Sequence, residues 1–258
     1  MNSIHKITII GSGCVANAFA EVIYSKGYEI KEIVGRREMA VNTLAEKVHA
    51  KANLNDFSSM NKESDLYILA IKDDAIPLVC EELRLDKGIL VHTSGSMEIQ
   101  VLSKSSSQYG VLYPLQTFAR ERHLDFSKIP LFVLANNAEP EQMLFAFASM
   151  LSGKVAKMTD DTRTTIHLSA VFANNFTNFL LTQSKSIMDE RQLDFQILKP
   201  LVEETVEKAF DIGPEFSQTG PAKRNDRNII KKHLSMLNRD KKKLYSLISE
   251  MIRKGYNK

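Results

Sequence analysis

Two periodicities divide the chain. Up to Met158, short β-branched or aliphatic runs alternate with stretches whose apolar residues recur at helical spacing, the signature of strands interleaved with helices. Ile7-Thr8-Ile9-Ile10 reads as a strand, Gly11-Ser12-Gly13 as a tight turn, and Cys14 to Tyr24 as a helix. Further strands are expected at Tyr28–Val34, Ala52–Leu54, Asp65–Ile71, Gly88–His92, Gly110–Tyr113, Pro130–Ala135 and Lys154–Met158. Helices are expected at Glu38–Ala50, Ala75–Leu85 and Glu139–Leu151. Asp65–Ile71 is apolar enough to be buried on both faces, which places it inside a parallel sheet. Beyond Thr159 the strand-like runs stop and four helical segments follow: Asp161–Asp189, Phe195–Phe210, Arg227–Leu237, and a stripe of Leu244, Leu247, Ile248 and Met251. The expected organisation is an α/β domain over 1–158 and an all-α domain over 159–258.

The first turn has the spacing Gly11-x-Gly13-x-x-Ala16, directly after a strand and directly before a helix. That is the Ala-ending form of a dinucleotide-binding turn: one glycine permits the turn, the next lets backbone approach a pyrophosphate, and a small residue brings the helix close to the strand. Free N–H groups of the first helical turn then face the anion. Gly11, Ser12, Gly13, Cys14, Val15 and Ala16 are the expected contacts, although a turn that only joins strand to helix is open to the same glycines. The second strand ends in Gly35-Arg36-Arg37, where NAD-binding domains usually carry an acid for the ribose hydroxyl. Two guanidiniums and no carboxylate favour the extra phosphate of NADP. The alternative is that both arginines merely start the next helix in solvent.

Other strand ends deliver polar loops to the same edge. Ile71, Lys72 and Asp73 lie where open α/β sheets bind ligands, so they are expected at the cofactor, while capping of the next helix accounts equally for Asp73 and Asp74. Thr93-Ser94-Gly95-Ser96 is a donor-rich loop, and Pro114-Leu115-Gln116-Thr117-Phe118 is a second polar cluster. In the helical half, Asp161–Asp189 is apolar on most sides, and a helix of that kind is buried. About 100 residues offer little room for it, so a partner subunit is expected to cover part. His167, Asn174 and Asn175 interrupt the apolar run two turns apart, which places His167 and one amide on a common face toward a cleft; a satisfied buried histidine is the competing account. The loop 213–226 has two Gly-Pro pairs with Arg224 and Asp226, a mixture suited to function, and Asp226 also suits a helix cap.

Composition narrows the classes. The 258 residues are 43% hydrophobic and 25% charged, ordinary for a globular enzyme. No run approaches the roughly 18 apolar residues of a membrane span, and Met1 to Lys6 leads straight into a strand without a leader pattern, so a cytoplasmic protein is expected. Cys14 and Cys80 have no partners at ligand spacing, so neither disulfide nor metal is expected. The net charge of +3 conceals a tail from 223 to 258 with twelve Lys or Arg and three acids. Its apolar stripe makes those cations the solvated face of a helix, and no nucleic-acid motif accompanies them.

GSGCVA at the start, HTSG from His92, PLQTF from Pro114, HLSAVFANNF from His167 and TGPAKRND from Thr219 together resemble the NADP-dependent oxidoreductase-like family. In that family a Rossmann domain precedes a helical domain related to the C-terminal domain of 6-phosphogluconate dehydrogenase. More distantly, the chain resembles pyrroline-5-carboxylate reductase and the β-hydroxyacid dehydrogenases. The resemblance covers nearly the whole chain and implies a Rossmann-type doubly wound sheet, bound NADP, a homodimer and a cleft between domains. In the β-hydroxyacid dehydrogenases a Lys lies one turn before an Asn and moves the proton; here Val171 lies one turn before Asn175. His167 is the nearby side chain of a type that titrates near neutrality.

The expected activity is hydride transfer between NADP(H) and a small carbonyl or imine compound. Ser94 and Gln116 are the candidate donors at the sheet edge, and His167 and Asn175 approach from the helical domain. Thr93, Ser94, Gly95, Pro114 and Arg224 are expected to line the substrate cleft. The competing expectation is a non-catalytic dimer that senses NADP.

Overall fold

The computed structural model describes residues 3–119, 122 and 124–256. Met1 and Asn2, which open the expected leaderless start, lie outside that set. Strands β1 (Lys6–Ile10), β2 (Glu29–Val34), β3 (Lys51–Asn53), β4 (Leu66–Leu69), β5 (Ile89–His92), β6 (Tyr109–Pro114), β7 (Leu131–Ala135) and β8 (Val155–Lys157) form one sheet. Their order is β3-β2-β1-β4-β5-β6-β7-β8. All neighbours are parallel except β6 and β7, which run antiparallel. The chain moves outward from β1 to β3 and returns to β4 on the other side of β1, so the strand order reverses at the carboxyl ends of β1 and β4. A crevice at such a reversal is where doubly wound sheets hold ligands.

Alternation along the strands explains why both faces are apolar. Ile7, Ile9 and Ile68 enter one core with α1 (Cys14–Ser25), α2 (Glu38–Lys47) and α4 (Ala138–Leu151), whereas Ile10, Tyr67 and Leu69 enter a second core with α3 (Ile76–Glu82). Each expected strand is present, trimmed by one to three residues at its ends in most cases, where fraying and loop bonding compete with the ladder. The expected helix start at Asp73 takes a different form. Asp73–Ala75 is a 3₁₀ turn with no side-chain cap, because the Asp73 carboxylate is engaged elsewhere.

The expected continuous helix from Asp161 to Asp189 is three pieces: α5 (Asp160–Ala170), a π-helical segment Val171–Phe176, and α6 (Thr177–Asp189). The wider π turn shifts the phase of the apolar stripe and contains both Asn174 and Asn175. No Gly or Pro stands there to announce it. After a 3₁₀ turn at Phe195–Leu198 come α7 (Lys199–Ile212), α8 (Pro214–Ser217), α9 (Arg227–Met236) and α10 (Arg239–Tyr256). The expected loop at 213–226 thus includes one helical turn, opened by Gly213 at φ 91° and by Pro214 at a helix-compatible first position. Asp226 caps α9, accepting from the Ile229 N–H at 3.2 Å.

Two compact units result, Met1–Asn175 and Phe176–Lys258. Among the described residues, none of the helices α6 to α10 contains a buried residue. No helix among them is long and apolar enough to cross a membrane.

Candidate functional site

The glycine turn is built as its spacing predicts. Gly11 has φ 135°, and a Cβ there would lie 2.2 Å from the Ala70 carbonyl oxygen, so no other residue fits between β1 and the end of β4. At Gly13 a Cβ would meet no protein atom within 4 Å. The open space is therefore in front of the turn and not behind it. No side chain caps α1 and no acid lies in its first turn, which leaves the positive helix end to an anion. Asn17 braces the turn: its amide donates to the Gly13 carbonyl at 2.9 Å and the Ser12 carbonyl at 3.3 Å. An amide four residues after the second glycine is the signal that would have identified it.

Gly35 is buried against Val41 and Ser12, and Arg36 and Arg37 beside it are exposed. These features together fit a dinucleotide: room for backbone approach, an uncapped helix end, and two free-standing cations at the second strand. A groove of about 810 Å³ runs along α1 and α2, from Cys14 and Arg37 at their starts to Lys26 and Lys47 at their ends. It touches those two cofactor candidates but none of Ser94, Tyr113 or His167, so it does not outline a substrate pocket.

Next to this turn the loops after β4, β5 and β6 are tied into one edge. Ala70 and Ile71 pack against Gly11, and the Thr93 N–H donates to the Leu69 carbonyl at 3.2 Å. Ser94 gives its proton to Asp73 Oδ2 at 2.7 Å and accepts from the N–H groups of Ser96 and Met97 at 3.1 and 3.0 Å. Ser96 also donates to Asp73, at 2.8 Å. The Ser94 hydroxyl is thus committed, and its role in this arrangement is to hold the loop, not to offer a donor. Asp73 likewise works as the clasp between two loops. Lys72 precedes it at the same strand end.

His167 of α5 comes to the same edge. Its Nδ1 lies 3.0 Å from the Tyr113 hydroxyl, with the two rings edge to face at 6.0 Å. Gly95 lies against the imidazole: a Cβ there would fall 2.4 Å from Nδ1 and 2.5 Å from Cγ. One turn earlier on the same helix face, Arg163 is fully buried, donates to the Met97 carbonyl and approaches Asp160 to 2.7 Å, a close ion pair whose angle falls short of a hydrogen bond. Burial pushes the Tyr113 hydroxyl above its usual range, with the Arg163 charge acting against that and Asp73 adding to it. His92, at the end of β5, is pushed down to about 4, chiefly by burial and secondly by Arg163, with the Glu98 backbone opposing. Its Nδ1 accepts from the Ser94 N–H at 3.2 Å.

The remaining expected residues gather less. Pro114 ends β6, and Gln116 is exposed and accepts from the Thr117 N–H through its own Oε1 at 2.8 Å. Asn175 lies in the π segment, exposed, beside Asn174 at 3.5 Å. Arg224 belongs to the second compact unit and is exposed on the turn closed by Gly220 and Asn225. Tyr113 and Arg163 escaped the sequence reading because an aromatic among strand residues reads as core, and a lone Arg in a helix reads as solvated.

Known proteins share this architecture. Residues 6–94 match a family model described as NADP oxidoreductase, coenzyme F420-dependent, and residues 129–252 match a domain of unknown function, DUF2520. No curated protein matches the chain significantly. Among solved structures, protein TM1727 from Thermotoga maritima superposes with a TM-score of 0.78 at 24% identity, covering 98% of this chain and 100% of its own. A reductive aminase from Aspergillus terreus, solved with NADPH and ethyl-5-oxohexanoate, has a TM-score of 0.69 at 15% identity over 99% of this chain and 96% of its own. Both show the fold. BF3122 from Bacteroides fragilis, a candidate NADP oxidoreductase, is 35% identical over 97% of this chain and 98% of its own, with a TM-score of 0.91. By that relationship along almost the entire length, this chain belongs to the NADP oxidoreductase family, and NADP is its cofactor.

Proposed function

We propose that the protein reduces a small carbonyl or imine compound, with His167 moving the proton. The observation that carries this reading is the meeting of the Gly11–Gly13 turn, the Ser94–Gly95 loop and the Tyr113–His167 pair along one carboxyl edge of the sheet. NADPH supplies the hydride when bound. The backbone of Gly13 through Ala16 holds its pyrophosphate, Arg36 and Arg37 hold its extra phosphate, and Ile71, Lys72 and Asp73 flank it. Thr93, Ser94, Gly95 and Pro114 border the substrate, and Gln116 and Asn175 supply amides at the margin. A carbonyl oxygen or imine nitrogen gains negative charge as hydride arrives, so a proton source within hydrogen-bond reach is the chemistry the protein must add. Val171 leaves His167 to fill that role. The structural likeness to a reductive aminase and to pyrroline-5-carboxylate reductases favours this substrate class.

We also propose a homodimer in the cytoplasm, with residues 1–158 as the cofactor domain and 159–258 as the dimerisation and substrate domain. The support is the absence of buried residues in α6 to α10 combined with exposed Phe179, Leu201, Phe210 and Phe216. Apolar surface of that extent is characteristic of an interface. Light scattering at micromolar concentration should give twice the chain mass.

The test of activity is loss of NADPH absorbance with a panel of small ketones, aldehydes and cyclic imines. Turnover of at least one is expected. NADPH binding without turnover of any would instead support the sensor reading.

A further inference from the structure

His167 can move a proton only if the correct ring nitrogen faces the reaction, and the structure constrains which one does. The imidazole is held along one edge. Nδ1 points to the Tyr113 hydroxyl at 3.0 Å, and the same edge lies so close to Gly95 that a single carbon there would overlap the ring. Tyr113 is itself buried, 7% exposed, at the end of β6. No other described residue accepts its proton. A buried hydroxyl whose proton has no acceptor costs about 1–3 kcal/mol, so the hydrogen bond runs from Tyr113 to Nδ1. Nδ1 is then the acceptor, and the one ring proton of neutral His167 resides on Nε2, the nitrogen turned away from both Tyr113 and Gly95.

We propose that Tyr113 and His167 form a two-member proton relay in which Tyr113 is the proton source and the imidazole conveys it to the substrate. This rests on the reductase reading above and extends it to the origin of the proton. As hydride adds to the substrate carbon, the C=O or C=N π bond opens and its electron pair goes to oxygen or nitrogen. The Nε2–H bond breaks as the O–H or N–H bond forms. The pair left on the ring is taken up at Nδ1, which receives the Tyr113 proton. The imidazole is neutral before and after, and the charge that remains is a tyrosinate bonded to Nδ1–H. Solvent then protonates Nε2 and the Nδ1 proton returns to Tyr113.

Burial, with the Asp73 charge adding to it, keeps the Tyr113 hydroxyl protonated at rest, so the source is loaded; the Arg163 charge acts against that, toward the tyrosinate. Arg163 stands one helical turn before His167, fully buried and bonded to the Met97 carbonyl. It therefore anchors α5 against the loop that contains Gly95, and its charge, paired with Asp160, stays fixed beside the relay. Arg163 is a positioning residue in this scheme, because it acts through Tyr113. The Tyr113 ring stacks on Phe132 at 6.3 Å, so its place does not depend on the hydroxyl.

Tyr113→Phe removes the source and preserves the ring. Nitrogen-15 spectra of histidine-labelled protein, recorded without substrate, should show His167 protonated on Nε2 and bare at Nδ1, and a mixture of tautomers in Tyr113→Phe. With the best ketone or imine of the panel, kcat should fall about 100-fold, in the range of lost acid catalysis, with KM and the NADPH-induced rise in Tm unchanged. Gly95→Ala provides a second arm: it should displace the ring, lower kcat to a similar degree and leave cofactor binding intact. A proton on Nδ1 in the wild type, or an unchanged kcat in an active Tyr113→Phe enzyme, overturns the relay and leaves the reductase reading standing. Absence of turnover by the wild type with every compound overturns the reductase reading, and the relay's role with it.

Discussion

The sheet unit and the helical unit spend their apolar residues differently. In the first, Ile7, Ile9, Phe19 and Ile68 are fully enclosed, each strand face being covered by the chain's own helices. In the second, Phe210 is 88% exposed, Phe216 73% and Leu201 64%. The polar face of α10 is well formed, with Lys254 paired to Glu250 at 2.7 Å, but its apolar face, Leu244, Ile248 and Ile252, is only half-buried. A doubly wound sheet closes both of its faces with local connections, whereas a few antiparallel helices leave one stripe each without cover unless more helices arrive. The contrast teaches that the sheet unit encloses its apolar residues within its own layers, while the helical unit leaves large apolar side chains exposed, which is the support for the proposed dimer.

The largest effect should come from the cores themselves. Phe19→Ala is expected to cost about 3–5 kcal/mol of stability, read as a fall in the urea midpoint. Phe210→Ala should change the midpoint of the single chain by less than about 0.5 kcal/mol, yet shift light scattering from dimer toward monomer. Equal costs in a monomeric protein would break the comparison by showing that the helical unit has its own core.

His92 supplies the next effect, specific to the sheet unit. Its folded value of about 4 lies below the ordinary 6.5, so the folded state excludes a proton that the unfolded chain binds. Stability from this group is complete above pH 6.5 and is lost as the pH falls to about 4, a difference of about 3 kcal/mol. His92→Asn should flatten that part of the stability profile relative to wild type. Parallel profiles would show that the ring is not held neutral.

Cofactor choice sharpens the same contrast at smaller scale. Replacing both Arg36 and Arg37 by Ala should reduce the preference for NADPH over NADH tenfold or more, at about 1.5–3 kcal/mol per lost charged hydrogen bond, with no change in dimer mass. A retained preference would move the phosphate site elsewhere. The smallest expected effect lies in the helical unit: Asp226→Ala removes the α9 cap and should lower the melting free energy by about 1 kcal/mol.

Much of the architecture was legible because it rests on local rules. The strand runs from Ile7, Asp65 and Gly88 and the glycine turn between Gly11 and Ala16 are set by side-chain period and backbone sterics, which act over a few residues. The same holds for the Asp226 cap, three residues from its partner. The site was legible only as a set of strand ends. That Ser94 is committed to Asp73, twenty-one residues away, was not, since a hydroxyl in a loop announces no partner.

The sequence by itself determined the sheet, the dinucleotide turn, the cation pair at Arg36 and Arg37, and the division into an α/β region followed by helices. Each depends on periodicity or on a spacing of few residues. Only the tertiary structure decided that Tyr113 meets His167 across fifty-four residues, that Arg163 is buried and not solvated, and that the long helix is interrupted by a π segment at Val171–Phe176. These are outcomes of packing between distant segments. The free energy that places a ring or a guanidinium comes from neighbours that the local sequence does not name.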